Sequence, residues 1–191
     1  SNILYLATQK GYQVTLRCRS SGFPPPHISW LHNGEKLVPK SSRIELQPTG
    51  DLVILQSQSE DSGHYVCVAK NSAGREHKDF DLEVMVPPTI VTHPQDKDVT
   101  LGEKFVLECE AVGVPTPSVF WLLNNTKLSN QPVSRDGRSV LTIHNAGKEN
   151  EGNYTCVATS RAGERKARSA IRVRVAPVVF GISRSSGRQV G

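Results

Sequence analysis

The chain has 191 residues, 37% of them hydrophobic and 21% charged, with a formal net charge of +5. That balance supports buried cores and excludes wholesale disorder. No apolar run approaches the ~18–20 residues that would cross a bilayer, and so modest a charge does not by itself argue for nucleic acid. The length suits one large domain or two small ones. No basic segment followed by an apolar core opens the sequence, so a secretory signal is expected to be absent or already removed.

In chain order, the first clear strand signal is Val14, Leu16 and Cys18 alternating with Thr15 and Arg17, behind the turn residue Gly11. Gly22-Phe23-Pro24-Pro25-Pro26 follows. Proline brings no ladder donor, so this segment ends one strand and bends the chain before the next. Residues 27–32 then carry Ile28 and Trp30 inward, and Leu52 and Ile54 begin another alternating strand. Asp61-x-Gly63-x-Tyr65-x-Cys67 comes next. A tyrosine two positions before a cysteine suits a ring packed in a corner, its hydroxyl bonded to nearby backbone. Gly74 supplies a hairpin turn into a last strand.

The same succession then returns: Phe105, Leu107 and Cys109; Gly113, Pro115 and Pro117; Val119 and Trp121; Leu141 and Ile143; Asn150-x-Gly152-x-Tyr154-x-Cys156; Gly163. Cys18 to Cys109 and Trp30 to Trp121 are each 91 residues apart, and Cys67 to Cys156 is 89. A repeat of that length means two tandem domains. Each has roughly seven short strands and no helical stripe, which makes the chain all-β, two antiparallel sandwiches placed end to end. The expected division is residues 1–87, residues 88–176, and a tail or linker to a further domain over 177–191. Val86-Pro87-Pro88-Thr89 reads as a short, semi-rigid joint. With only 17 residues ahead of Cys18, the first strand of the first domain is expected to be shortened or missing.

Zinc would want cysteines paired at short spacing, but neighbouring cysteines stand 49, 42 and 47 residues apart. A catalytic thiol would need an electropositive niche and a base, which a duplicated Cys-Trp-Cys frame gives no reason to expect. The remaining reading is one disulfide per repeat, Cys18–Cys67 and Cys109–Cys156, each worth ~2–4 kcal/mol and each pointing outside the cell or to the secretory lumen.

On these residues both repeats resemble immunoglobulin domains. The Gly-x-Pro-x-Pro, Leu-x-Ile and Asp-x-Gly-x-Tyr-x-Cys features resemble the I-set, over about residues 4 to 175, of the kind found in adhesion, guidance and matrix proteins. The resemblance implies recognition of another protein or a glycan by a fragment of a larger cell-surface or secreted protein. It also leaves two other readings: a mechanical spacer of an intracellular muscle array with reduced cysteines, and a soluble antagonist that sequesters a hormone or growth factor. One position departs from the pattern. The family's Asp, which pairs with a basic residue, is kept as Asp61 opposite Arg43 but is replaced by Asn150, leaving Arg135 without that partner and the second corner looser.

No metal-spaced histidine pair, nucleophile elbow, phosphate loop or carboxylate couple is present, so neither catalysis nor a cofactor is expected. Recognition must then use the sheet surfaces. Alternation in the last strand puts Ile171, Val173 and Val175 toward the core and sends Lys166, Arg168, Arg172 and Arg174 outward, with Arg161 and Arg165 beside the turn. Phe120, Leu122 and Val157 turn to the same outer face as an apolar patch. The corresponding strand of the first repeat is acidic, with Asp79, Asp81 and Glu83. Residues 1–87 hold nine basic and nine acidic side chains and residues 88–191 fourteen and nine, so the whole excess sits in the second half. The basic strip could bind heparan sulfate, or pair with the acidic strip of a second molecule in homophilic adhesion; the same charges also suit protection of an exposed strand edge. Nucleic-acid binding and direct membrane insertion are not expected. Asn124-Asn125-Thr126 and Asn153-Tyr154-Thr155 are glycosylation sequons, consistent with secretion, and a glycan on Asn153 would crowd the outer face.

Overall fold

The computed structural model describes residues 2–181. Its strands are β1 (Ile3–Gln9), β2 (Val14–Leu16), β3 (His27–His32), β4 (Glu35–Lys36), β5 (Ile44–Leu46), β6 (Leu52–Ile54), β7 (Gly63–Asn71), β8 (Gly74–Thr92), β9 (Lys97–Thr100), β10 (Phe105–Val114), β11 (Ser118–Leu123), β12 (Thr126–Lys127), β13 (Arg138–Ile143), β14 (Gly152–Ser160) and β15 (Gly163–Arg174). Single 3-10 turns cover Ser59–Asp61 and Lys148–Asn150. In the first domain the sheet β4-β3-β7-β8 faces the sheet β2-β6-β5; in the second, β12-β11-β14-β15-β9 faces β13, β10 and the far end of β8. Strand β8 therefore belongs to both domains. It runs 19 residues without a break, straight through Val86–Thr89, and its far end pairs with β10 as Val86 opposite Val114 and Ile90 opposite Ala111. The joint is extended strand.

One expectation about the strands changes. The sandwiches are not wholly antiparallel: β1 lies parallel on β8, and β9 parallel on β15. Seven residues long, β1 is thus the first domain's equivalent of β9, not of the strand that carries Ile90 and Val91. What the second domain has in addition is the stretch of β8 on β10, which has no counterpart on β2 among the described residues. Of the proposed tail, residues 177–181 are described and carry no regular structure, and 182–191 lie outside the described residues.

The core follows the alternation. Leu16, Trp30, Tyr65, Phe80 and Leu82 pack in the first domain, and Leu107, Trp121, Tyr154, Ile171 and Val173 in the second. Val175 does not join them: β15 ends at Arg174 and Val175 is exposed. Both disulfides form as the spacing implied, Cys18–Cys67 and Cys109–Cys156, with Cα atoms 6.3 and 6.4 Å apart. Each tryptophan stands opposite the second cysteine of its pair. Burying an indole requires a partner for its N–H: Trp30 Nε1 donates to the Gly50 carbonyl at 2.9 Å, and Trp121 Nε1 to Ser139 Oγ at 3.0 Å. Gly50 and Gly137 hold φ of +98° and +79° in the turns beside these rings, where a Cβ would strike the carbonyls of Cys18 and Ala111.

The corners match in outline and differ in charge. The Tyr65 hydroxyl donates to the Asp61 carbonyl at 2.6 Å and the Tyr154 hydroxyl to the Asn150 carbonyl at 2.7 Å. Burial, reinforced by the Asp61 charge, pushes the Tyr65 phenol well above its ordinary value. Arg43 grips Asp61 through Nη1 at 2.8 Å and Nη2 at 3.2 Å. In the second domain Asn150 keeps only the capping role, accepting from the Gly147 N–H at 2.8 Å, and no ion pair of Arg135 forms among the described residues.

Candidate functional site

Strands β11, β14 and β15 present a continuous outer face, and register places its side chains in two rows. One row runs Lys127, Leu122, Thr155, Arg168; the next runs Phe120, Val157, Lys166. Phe120 and Leu122 are half-buried. Val157 points outward as alternation required, but only 2% of it is exposed, because it sits in the middle strand with a neighbour on either side. The apolar patch is therefore Phe120 and Leu122, with Val157 as its floor. Lys127, which the alternation argument did not single out, holds its Nζ 5.0 Å from the Phe120 ring centroid, a cation–π placement. Its signal was the hairpin register that sets Lys127 opposite Leu122. The result is an apolar centre rimmed by Lys127, Lys166 and Arg168.

The basic strip is less uniform than its composition suggests. Arg174 pairs with Asp98 at 3.2 Å and Lys166 with Glu164 at 3.3 Å. Arg172 lies near Glu151, whose carboxyl is held below its ordinary range by the Val173 N–H first and by Lys148 second. Arg165 stands opposite the core residue Ala158, so it has inner parity, yet it is exposed. Arg161 leaves the strip altogether. It occupies the two-residue loop between β14 and β15, reaches back across the domain boundary and pairs with Glu83. In the same seam Gln9 Nε2 donates to the Ala162 carbonyl at 3.3 Å.

That seam also draws on the acidic strip. Glu83 is taken by Arg161, and Asp81 by His64 Nδ1 at 2.7 Å. Asp79 is half-buried two register positions along, opposite Val66. Pairing of acidic and basic strips thus occurs within one molecule at Glu83 and Arg161.

The two sequon asparagines meet. Asn124 holds φ of 49° in the turn between β11 and β12. Its backbone N–H donates to the Asn153 carbonyl at 2.9 Å, and its Oδ1 accepts from the Asn153 N–H at 3.0 Å. Asn33, 91 residues earlier and outside any sequon, does the same with His64 at 2.7 and 2.9 Å, at φ of 50°. Asn124 therefore has a turn-forming role that the repeat alignment could have revealed. Asn153 is exposed, with the outward parity of Thr155 and Val157. Among the described residues no group of three or more His, Cys, Asp or Glu is placed to hold a metal ion.

Residues 4–84 match the immunoglobulin I-set domain family and residues 87–160 an immunoglobulin domain family. The chain is 34% identical to mouse Hemicentin-2 over 176 residues, which is 92% of this chain and 4% of that protein. It is 34% identical to human Roundabout homolog 3 over 170 residues, covering 84% of this chain and 12% of the relative. Among solved structures, the N-terminal four immunoglobulin domains of Dscam1 isoform 8.4 superpose with a TM-score of 0.71 at 27% identity, over 91% of this chain and 44% of that one. The chain thus spans a small part of the curated relatives it matches.

Proposed function

Since the chain belongs to the immunoglobulin family, as two I-set-type domains in tandem, we propose that it is a non-enzymatic extracellular recognition module of an adhesion, guidance or matrix protein. Its contact surface in this reading is the outer face of β11, β14 and β15. The observation that carries the reading is the amphipathic patch: Phe120 and Leu122 over buried Val157, framed by Lys127, Lys166 and Arg168. An apolar centre desolvates well, and a cationic rim selects an acidic partner and speeds encounter. A protein partner with an acidic rim fits better than heparan sulfate. Counterion release from a glycan scales with uncommitted cations, and Arg161 and Arg174, outside the patch, already face Glu83 and Asp98. The two disulfides support an oxidising compartment. A glycan on Asn153 would border the patch, about 13 Å along the strand from Val157.

Binding of the labelled chain to cultured cells, with and without heparinase, tests this against Phe120→Asp and Arg168→Glu. Protein recognition requires loss of binding in both variants and persistence after heparinase. Loss after heparinase alone would replace the protein by an anionic glycan, and binding indifferent to both variants would remove the patch. A stiff spacer is the second reading, favoured by the unbroken β8 and its seam. Thiol titration separates the intracellular form of that reading, which needs four free thiols, from the extracellular one, which has none.

A further inference from the structure

In the first domain β5 covers the edge of β6, with Ile44, Glu45 and Leu46 opposite Ile54, Val53 and Leu52. The matching strand of the second domain, β13, has no such cover. The offset of 89 that takes Leu52 to Leu141 takes Asp51, Val53 and Ile54 to Val140, Thr142 and Ile143. The first three are buried, whereas Val140 is 36% exposed and Thr142 and Ile143 are half-buried. The opening is set by residues inside the domain. Arg135 and Arg138 start a hairpin by exchanging two backbone bonds of 2.9 Å around Asp136 and Gly137, whose φ are +50° and +79°. Continuing that register would set Gln131 opposite Thr142. The Gln131 amide is instead held toward the other sheet: its Oε1 accepts from the Trp121 N–H at 2.6 Å and its Nε2 donates to the Leu128 carbonyl at 2.8 Å. The ladder therefore stops at one pair.

Arg138 uses its N–H and carbonyl on Arg135, and alternation turns those of Val140 and Thr142 to the same side, away from β10. Among the described residues no hydrogen bond reaches them there. Nor does the edge carry the usual guards: Ser139-Val140-Leu141-Thr142-Ile143 contains no charge and no proline. The first domain's corresponding edge, β5, carries Glu45 and follows Arg43. What fits β13 is the same strand from a second copy. Antiparallel pairing about a twofold axis at Leu141 sets Val140 of each copy opposite Thr142 of the other. Each opposed pair exchanges two backbone bonds, so the open groups of both copies are satisfied together. The side chains form β-branched cross-strand pairs on the outward face, while Ser139 and Leu141 stay turned to their own core. Each strand must leave the ladder at His144, before it meets Arg135 of the other copy. That brings the exposed His144 of each copy beside the exposed Asp136 turn of the other, an agreement in charge that the twofold repeats.

We propose that β13 is a self-association edge, through which two copies join their second domains into one continuous sheet with Val140 opposite Thr142. Backbone pairing supplies the affinity, and burial of Leu141 on the core side fixes the register. The contact is isologous, so it closes at two copies. It belongs to the sheet opposite β11, β14 and β15. The patch around Phe120 stays open on both copies, and the two readings stand or fall separately.

In sedimentation velocity the chain should pass from monomer to dimer with concentration and go no further. Thr142→Pro removes an N–H that faces the open edge and leaves the bonds to β10 in place; Val140→Lys puts a charge on the same edge. Each should weaken dimerisation at least about tenfold. Mixing a Val140→Cys copy with a Thr142→Cys copy under mild oxidation should give a disulfide-linked pair on a non-reducing gel, since opposed Cα atoms in such pairs lie ~5.5 Å apart. Val140→Cys alone, two positions out of register with itself, should give far less. A chain that stays monomeric to several hundred micromolar overturns the proposal and leaves the edge to a strand of a different protein. Assemblies larger than two, a dimer that survives both edge substitutions, or cross-linking that ignores register overturn it as well.

Discussion

Asp61 concentrates three bonds on one buried carboxylate: two from Arg43 and one from the Gln58 N–H at 2.7 Å. Removing it strands a buried donor and a cation together, whereas an amide keeps the cap and loses only the charge. Arg43 is about a quarter exposed, 26% by side chain, so the loss falls short of that for a fully buried pair. Asp61→Ala should cost about 2–3 kcal/mol and Asp61→Asn about 1–2 kcal/mol in urea unfolding. The second domain already lives with the amide, as Asn150. The loosening expected there from sequence is confined to the missing ion pair, since the Gly147 N–H cap and the tyrosine bond are both kept.

Strand β15 is fastened to the corner turn by Glu151, whose Oε2 accepts from the Val173 N–H at 2.7 Å and from Lys148 Nζ at 3.3 Å. These bonds favour the carboxylate, so its pKa in the folded chain lies below the unfolded one. A depressed carboxyl stabilises above the unfolded pKa, and that contribution is lost as pH falls through the folded pKa. Glu151→Gln should therefore unfold at lower denaturant than the parent near neutrality, with the difference closing as the pH falls below the ordinary glutamate range. Alternating residues made most of the strands legible, because period two fixes which side chains face inward. It could not say how far an outward residue is covered. Val157 reads as surface from parity, yet its neighbours on β11 and β15 close over it. Nor could parity place Arg161, whose partner depends on how the two domains meet, or set Lys127 on Phe120, which needs the register of a hairpin.

For the molecule as a whole, the repeat of cysteine and tryptophan established two sandwiches, but it implied a proline-bearing joint where the structure has uninterrupted strand. Gly113 shows how close that joint is: a Cβ there would sit 2.9 Å from the Val86 carbonyl oxygen and 3.3 Å from Pro88 Cα. The seam ion pair adds little stability because it is solvent-exposed, but it bears on the angle between domains. Arg161→Glu, facing Glu83, should leave the unfolding midpoints nearly unchanged and broaden the distribution of interdomain angles seen by small-angle scattering. Proteases need a stretch of backbone that can peel away and thread their cleft. With the boundary between the two domains held in a ladder on β10, digestion should start elsewhere, and the two sandwiches should survive it as one fragment.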